Sequence, residues 1–319
     1  MARTARVLGE RKIISSITSG LRRNPKMVAD FDDDSAIFKV DGTTLAVSTD
    51  MGFKTTHFNS ADPIAIGKKI CVSANADLFA KAATPRLMWL DLAFPPRTPI
   101  SFLKKMYSSI DKQLAEWASF LVGGDANNSK EFCYSATVLG EIAPGQEPLL
   151  RSTAKAGDSL VLTGEIGNAA AGYFFYRDKI KKIPAKYEQA QNAPSIDFKL
   201  CKRIWPSARA GIDLSDGLGR ELNELARLSK KGIIAYWDKL PFDKKLPAYC
   251  EKFGWSLGDL LFHRGEDYQC VFSASRGAAG REFGEVFEPK SKKEVGAFLE
   301  KDGVLHRISS QGYEHFKSN

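Results

Sequence analysis

Residues 210–221 constrain the fold most, because they place two carboxylates at the junction between an apolar strand and an amphipathic helix. The segment reads Ala-Gly-Ile-Asp-Leu-Ser-Asp-Gly-Leu-Gly-Arg-Glu. Gly211 and Ile212 are typical of the end of a buried strand, and leucines recur at helical spacing behind the glycines. Ser215 or Asp216 could simply cap this helix through a side-chain oxygen. Alternatively, a helix N-terminus flanked by carboxylates can hold an anion together with its metal ion.

Other acidic residues stand where predicted strands end or where a helix is otherwise apolar. Two precede the predicted strand 35–40, one follows the predicted strand 44–48, and one interrupts the apolar helix that begins at Pro63. Another follows Gly123 and Gly124, whose lack of a side chain lets the backbone approach a ligand closely. Each acid alone is more readily explained as structural. The whole set is Asp33, Asp34, Asp50, Asp77, Asp125, Asp213 and Asp216.

As a group these residues share one ligand chemistry, namely carboxylate oxygen with neighbouring Ser or Thr hydroxyls. Hard oxygen ligands favour Mg²⁺ over zinc or copper. Two carboxylates about 4 Å apart repel each other by roughly 1–4 kcal/mol, so several in one cleft require cations. If the fold brings them together, more than one Mg²⁺ is implied. The usual partner of several Mg²⁺ ions is a nucleoside triphosphate.

Composition excludes several other classes of protein. No apolar run has the roughly 18–20 residues of a membrane span. The basic N-terminus is followed by no apolar stretch and so does not read as a secretory signal, and a cytoplasmic location is expected. The five cysteines form no Cys-x-x-Cys pair, and the four histidines show no metal-ligand spacing. The net charge of +8 is dispersed along the chain. An anionic small-molecule substrate explains it as well as nucleic acid does, and neither nucleic acid nor a membrane is the expected partner.

The length of 319 residues favours two domains, each with its own core. The segment 144–148, rich in proline and glycine, is the best candidate for the linker. We therefore expect an N-terminal domain over residues 1–146 and a C-terminal domain over residues 147–319. The order of strands and helices predicts an α/β (α+β) chain, with residues 291–301 helical.

Six motifs, in this order, resemble those of the thiamine-monophosphate kinases, a family of the aminoimidazole-ribonucleotide synthetase-like ATP-binding superfamily. Together they extend from about residue 30 to the C-terminus. They are Asp33-Asp34-Ser35-Ala36, Ser48-Thr49-Asp50 with His57-Phe58, Gly123-Gly124-Asp125, residues 212–218, Gly265-Glu266-Asp267-Tyr268 and Gly312-Tyr313-Glu314-His315-Phe316.

The resemblance implies a two-domain fold, with an N-terminal mixed sheet that carries helices on one face and a C-terminal α/β sandwich. It implies a homodimer formed through the N-terminal sheets. It also implies a kinase that uses ATP and Mg²⁺ to convert thiamine monophosphate to thiamine diphosphate by direct in-line attack. The acceptor is already a phosphate oxygen, so no general base is required.

The same resemblance, together with the acidic set, assigns roles to individual residues. The expected Mg²⁺ ligands are Asp33, Asp34, Ser48, Thr49, Asp50, Asp77, Asp125, Asp213 and Asp216. The expected ATP contacts are Gly124, Asp125, Arg151 and Ser215. The expected substrate contacts are His57, Glu266 and Tyr313, the last by stacking on the thiamine ring. The expected catalytic residues are Asp50, Asp213, Asp216 and Arg151, the arginine neutralising the charge of the transferring group.

The chain departs from the family pattern at residues 74–77, 126–128 and 194–198 and at Arg264, which replaces a glycine. These departures concentrate in the nucleotide and acceptor contacts. The sequence therefore leaves two alternatives to the kinase interpretation. One is a superfamily member that acts on a different acceptor, and the other is a nucleotide-binding paralogue without kinase activity.

Overall fold

The computed structural model describes residues 10–29, 31–310 and 312. After helix α1 (Glu10–Thr18), the first half of the chain forms a seven-stranded sheet. Its strands are β1 (Met27–Ala29), β2 (Ala36–Val40), β3 (Thr43–Phe53), β4 (Ala83–Phe94), β5 (Phe120–Gly123), β6 (Ala126–Asn128) and β7 (Cys133–Ile142). Their order is β1-β2-β3-β7-β4-β5, with β6 also paired to β4. Strands β5 and β6 lie parallel to β4 and the other pairs are antiparallel, so the sheet is mixed.

Helices cover one face of this sheet. They are α2 (Lys54–His57), α3 (Pro63–Ala80) and α4 (Ile100–Ala115). The Asp62 side chain begins α3 by accepting a hydrogen bond from the Ile64 N–H at 3.1 Å, next to a proline in the first turn. Helix α3 is buried on almost every side, because it lies between the first sheet and the second half of the chain.

The second half forms another seven-stranded sheet. Its strands are β8 (Ser159–Leu162), β9 (Ala208–Asp213), β10 (Gly232–Tyr236), β11 (Cys270–Ala274), β12 (Arg281–Phe287), β13 (Gly296–Lys301) and β14 (Val304–Arg307), in the order β14-β13-β10-β12-β8-β11-β9. Its helices are α5 (Asn168–Arg177), α6 (Ala185–Asn192), α7 (Phe198–Ile204), α8 (Leu218–Ser229) and α9 (Leu246–Phe253). Only β10 and β13 pair in parallel, so this sheet is also mixed.

The two halves share one apolar core where the end of α3 packs against β9 and β11. The Trp205 indole N–H donates to the Phe79 carbonyl at 3.0 Å. Gly211 lies so close to α3 that a Cβ there would stand 2.1 Å from the Ala80 oxygen. The predicted boundary at residues 146 and 147 falls in the segment between the two sheets, and it stays a prediction.

The structure corrects one element of the sequence analysis. Residues 291–301, predicted to be helical, form a single 3₁₀ turn at Lys292–Glu294 and then strand β13. Parallel pairing with β10 and burial of Ala297 stabilise the strand there. Within the described ranges, no helix is long and apolar enough to cross a membrane.

Candidate active site

The fold brings three distant carboxylates together at the junction of the two halves. Asp34 precedes β2, Asp77 lies in the last turns of α3, and Asp213 ends β9. Each offers a carboxylate oxygen, and these oxygens lie within 4.8 Å of one another. Ser48 joins them, because its hydroxyl donates to Asp77 Oδ2 at 2.5 Å and to the Asp34 carbonyl at 3.2 Å. The prediction that distant aspartates meet in one site is therefore correct for these residues.

Asp50 lies beside this group. Ser48 and Asp50 are two residues apart in β3 and therefore point to the same face of the sheet. The Asp50 Oδ2 accepts hydrogen bonds from Ser73 at 2.6 Å and from the Tyr134 hydroxyl at 2.9 Å. Asp50 was predicted to follow the strand, but β3 continues three residues beyond it to Phe53.

Burial dominates the electrostatics of the cluster. It raises the pKa of Asp77, and the neighbouring Asp213 carboxylate raises it further. Burial also raises the pKa of Asp213, although the charge of Arg151 opposes this rise. It raises the pKa of Asp50 as well, although the hydrogen bond from Ser73 opposes the rise there. Placing negative charge on these carboxylates is therefore costly, and a bound cation would offset the cost. Carboxylate and hydroxyl oxygens are hard ligands, so the donor set fits Mg²⁺.

Asp33 and Asp34 are already paired with cations of the protein. The Lys81 ammonium lies 2.5 Å from Asp33 Oδ1 and 2.7 Å from Asp34 Oδ2. The Arg151 guanidinium contacts the second oxygen of Asp34, and the Arg151 backbone N–H donates to Asp33 Oδ2 at 3.0 Å. Both oxygens of Asp33 are thus engaged by protein groups. Sequence reasoning missed Lys81, although a lone lysine four residues after Asp77 at the end of a buried helix was a visible signal.

Two clefts adjoin the carboxylates and share Ser215 and Asp216 as a wall. The first has a volume of about 530 Å³. The predicted residues that line it are Thr49, Asp50, His57, Asp77, Asp213, Ser215, Asp216 and Glu266. The second has a volume of about 400 Å³ and is lined by Asp33 and Arg151. Predicted substrate contacts therefore lie in the first cleft, and Arg151, a predicted ATP contact, lies in the second.

The substrate side of the first cleft contains an ion pair across the two halves. Lys69 of α3 donates to Glu266 Oε2 at 2.6 Å and to the His57 carbonyl at 2.9 Å. Burial alone would raise the pKa of Glu266, but Lys69 and the Tyr268 hydroxyl, at 2.9 Å, lower it. Glu266 is therefore ionised and held in place. Tyr313, the third predicted substrate contact, lies outside the described residues.

Three predicted residues stand apart from the carboxylates. The Thr49 side chain alternates away from Ser48 and lies 3.0 Å from the Thr137 hydroxyl. Asp125 is exposed at the start of β6, where its backbone N–H donates to Asp91 at 2.8 Å. Neither Gly124 nor Asp125 is among the described residues that line the two clefts.

Of the two interpretations of Ser215 and Asp216, the one in which they cap the helix is wrong. Helix α8 begins after Gly217, and neither Ser215 nor Asp216 caps it through its side chain. Gly217 has φ +112°, and a Cβ there would lie 2.9 Å from the Phe262 oxygen, so the turn requires glycine. Asp216 forms an ion pair of 2.9 Å with Arg220. The strand–turn–helix junction thus leaves Ser215 and Asp216 on the cleft wall.

Glu221 lines the second cleft, and its raised pKa should make the free energy of unfolding depend on pH. Burial, followed by the Asp216 charge, raises the pKa of Glu221 to about 8 from 4.5. Between these values the folded chain holds a proton that the unfolded chain has released. The free energy of unfolding should therefore fall as pH rises through this window, by up to a few kcal/mol for this group.

Urea unfolding at several pH values should show a smaller fall in the free energy of unfolding for Glu221→Gln. The exposed control Glu282→Gln should behave like the unsubstituted chain, and equal slopes for all three would contradict the assignment.

Comparisons with known proteins agree with this geometry. Residues 32–142 match the family model "AIR synthase related protein, N-terminal domain". The thiamine-monophosphate kinase of Aquifex aeolicus is 27% identical over 293 residues, which cover 89% of this chain and 92% of that protein. The thiamine-monophosphate kinase of Buchnera aphidicola is 30% identical over 275 residues and 82% of either chain. The chain belongs to the thiamine-monophosphate kinase family.

A solved structure described as AaThiL complexed with AMPPCP and TMP superimposes with a TM-score of 0.86 at 26% identity, covering 99% of both chains. Membership of the thiamine-monophosphate kinase family confirms the resemblance read from the six motifs. It also confirms the predicted fold class and the expectation that the chain is an enzyme of the kinase type.

Proposed function

We propose that this chain transfers the γ-phosphoryl group of ATP to thiamine monophosphate in the presence of Mg²⁺, giving thiamine diphosphate and ADP. The observation that carries the proposal is the convergence of Asp34, Asp77 and Asp213, of which Asp77 and Asp213 line the first cleft. Family membership and the ligands named for the AaThiL structure support the identity of the two substrates.

We assign the metal to the oxygens of Asp34, Ser48, Asp50, Asp77 and Asp213. The donor chemistry of this set suits Mg²⁺, which when bound would neutralise the triphosphate and the transferring group. Thr49 and Asp125 are weaker candidates, because their side chains engage neighbouring groups away from the carboxylates. Asp33 is a weaker candidate than Asp34, because it is not one of the three carboxylates whose oxygens lie within 4.8 Å of one another, and Lys81 and Arg151 engage both of its oxygens.

The two clefts suit two substrates. Thiamine monophosphate would occupy the first, where His57 and Glu266 lie and where Tyr313 would stack on the thiamine ring. The triphosphate would approach from the second, where Arg151 neutralises the developing negative charge. Ser215 and Asp216 line both clefts and so would stand beside the transferring group. The acceptor oxygen belongs to a phosphate and attacks in line without a general base.

We also propose that residues 1–146 and 147–319 act as two domains and that two chains associate through the first sheet. The face of this sheet opposite α3 and α4 carries exposed apolar side chains. They include Val40, Met51, Phe53, Phe120 and Val122. Exposed apolar patches on soluble chains commonly mark interaction sites. Gly124 and Asp125 follow β5 at the edge of this sheet, so a second chain could complete a nucleotide contact there.

Phosphorus NMR of the chain with Mg-ATP and thiamine monophosphate tests the proposal. Thiamine diphosphate and ADP should appear together in equal amounts. ADP formed without thiamine diphosphate would indicate a different acceptor, and bound nucleotide without turnover would indicate the paralogue. Omitting Mg²⁺ and adding a chelator should abolish the product signals.

A further inference from the structure

The Lys81 ammonium is enclosed by oxygen atoms in the interior of the protein. Lys81 follows α3, and its side chain is 0% exposed. Its Nζ lies 2.5 Å from Asp33 Oδ1 and 2.7 Å from Asp34 Oδ2. It also donates to the Gly211 carbonyl at 2.7 Å and to the Leu149 carbonyl at 3.2 Å. A buried ammonium is normally destabilising, so this number of partners needs an explanation.

The shell around Nζ has the composition of a cation site. Two carboxylates and two backbone carbonyls are hard oxygen ligands, of the kind that bind metal ions in proteins. An ammonium has three N–H donors and four oxygens surround this one, so the oxygens outnumber the donors. The ligands come from both halves of the chain, since Asp33 and Asp34 precede β2 whereas Gly211 lies in β9.

Lys81 is buried and does not reach the clefts. It lines neither of the two clefts described above. Asp34, which Lys81 contacts, has a carboxylate oxygen within 4.8 Å of those of Asp77 and Asp213. Around Asp34 the protein therefore supplies two cations, Lys81 on one oxygen and Arg151 on the other. Lys81 can fix the position and charge of Asp34 without touching a substrate.

We propose that Lys81 is an internal cation of the acidic cluster, and that its ammonium fills a position beside Asp33 and Asp34 that a metal ion would otherwise have to occupy. Lys81 is thus a positioning residue: it holds Asp34 ready for the metal and lowers the number of metal ions needed to neutralise the cluster. This proposal rests on the proposed metal-binding role of the carboxylates and not on the identity of the acceptor.

Counting bound Mn²⁺ tests the proposal directly. The free ion is measured by electron paramagnetic resonance during titration of the full chain without nucleotide or acceptor. Lys81→Met should bind one more Mn²⁺ per chain than the unsubstituted protein, because the four oxygens around Nζ have lost their cation.

Two variants are controls. Lys81→Arg keeps the charge and should bind the original number of Mn²⁺ ions. Lys231→Met removes a lysine that pairs with Glu288 at 2.6 Å, away from the cluster, and should also bind the original number. Equal numbers for Lys81→Met and the unsubstituted chain would overturn the proposal.

A second variant covers the case in which Lys81→Met does not fold. Loss of the lysine leaves buried carboxylates uncompensated, so its Tm should fall by about 10 °C or more. Lys81→Met combined with Asp33→Asn removes a carboxylate together with the ammonium. The double variant should recover most of the lost Tm and bind the original number of Mn²⁺ ions. A double variant no more stable than the single one would contradict the charge-balance explanation. Absence of thiamine diphosphate in the NMR assay would overturn the proposed function but leave these counts interpretable.

Discussion

Replacing Asp213 with asparagine should lower kcat by about a hundred- to a thousand-fold, while the variant melts at the same or a higher temperature than the unsubstituted chain. Asp213 is 3% exposed and faces Asp34 and Asp77, so its carboxylate is costly to bury without a cation. Asparagine removes that cost, but it also removes a charged metal ligand. Loss of electrostatic stabilisation at a transferring group typically costs two to three orders of magnitude in rate. Steady-state kinetics with Mg-ATP and thiamine monophosphate, together with thermal melts, measure both effects.

Asp302→Asn is the matched control. Asp302 lies in the turn between β13 and β14 with φ +52°, a conformation that asparagine adopts readily. Its kcat and Tm should equal those of the unsubstituted chain. Near-normal turnover by Asp213→Asn would remove Asp213 from the metal site. A large loss of stability in that variant would instead mean that the carboxylate is structural.

Replacing Gly211 with alanine should destabilise the chain by about 3 kcal/mol, at the upper end of the range for overpacked cores. A Cβ there would stand 2.1 Å from the Ala80 oxygen, and backbone atoms cannot move aside as a flexible side chain can. The Gly211 carbonyl also accepts a hydrogen bond from Lys81 at 2.7 Å. Displacing β9 from α3 would therefore disturb the acidic cluster as well as the core.

Urea unfolding measures the loss, and Gly258→Ala provides the control. At Gly258 the nearest atom to an added Cβ is 3.6 Å away, so alanine should change the free energy of unfolding by less than about 0.5 kcal/mol. If Gly211→Ala unfolds at the same urea concentration as this control, the close approach of the two halves is not a tight constraint.

The meeting of Asp34, Asp77 and Asp213 could be predicted because the residue types themselves carry the signal. Aspartates beside apolar strands and within an apolar helix are rarely placed there without a partner. Their meeting depended on β9 packing against α3, which no local pattern reveals. Because β3 continues to Phe53, side chains along it alternate between the two faces of the sheet. This alternation puts Thr49 on the face opposite to Ser48 and Asp50.

Two features escaped sequence reasoning for physical reasons. Residues 291–301 were predicted to be helical, but pairing with the distant strand β10, which no local pattern reveals, makes residues 296–301 a strand. Lys81 was overlooked because lysines are nearly always solvated. Only the structure places its ammonium between two aspartates and two carbonyls.

The position of Lys81 also bears on how the charges of the acidic cluster are divided between the two halves of the chain. Asp33, Asp34 and Lys81 all belong to the N-terminal half. This aspartate pair therefore has a countercharge from its own half of the chain, and Arg151 of the other half adds a second one at Asp34. Asp77 differs, because the C-terminal half places the carboxylate of Asp213 beside it.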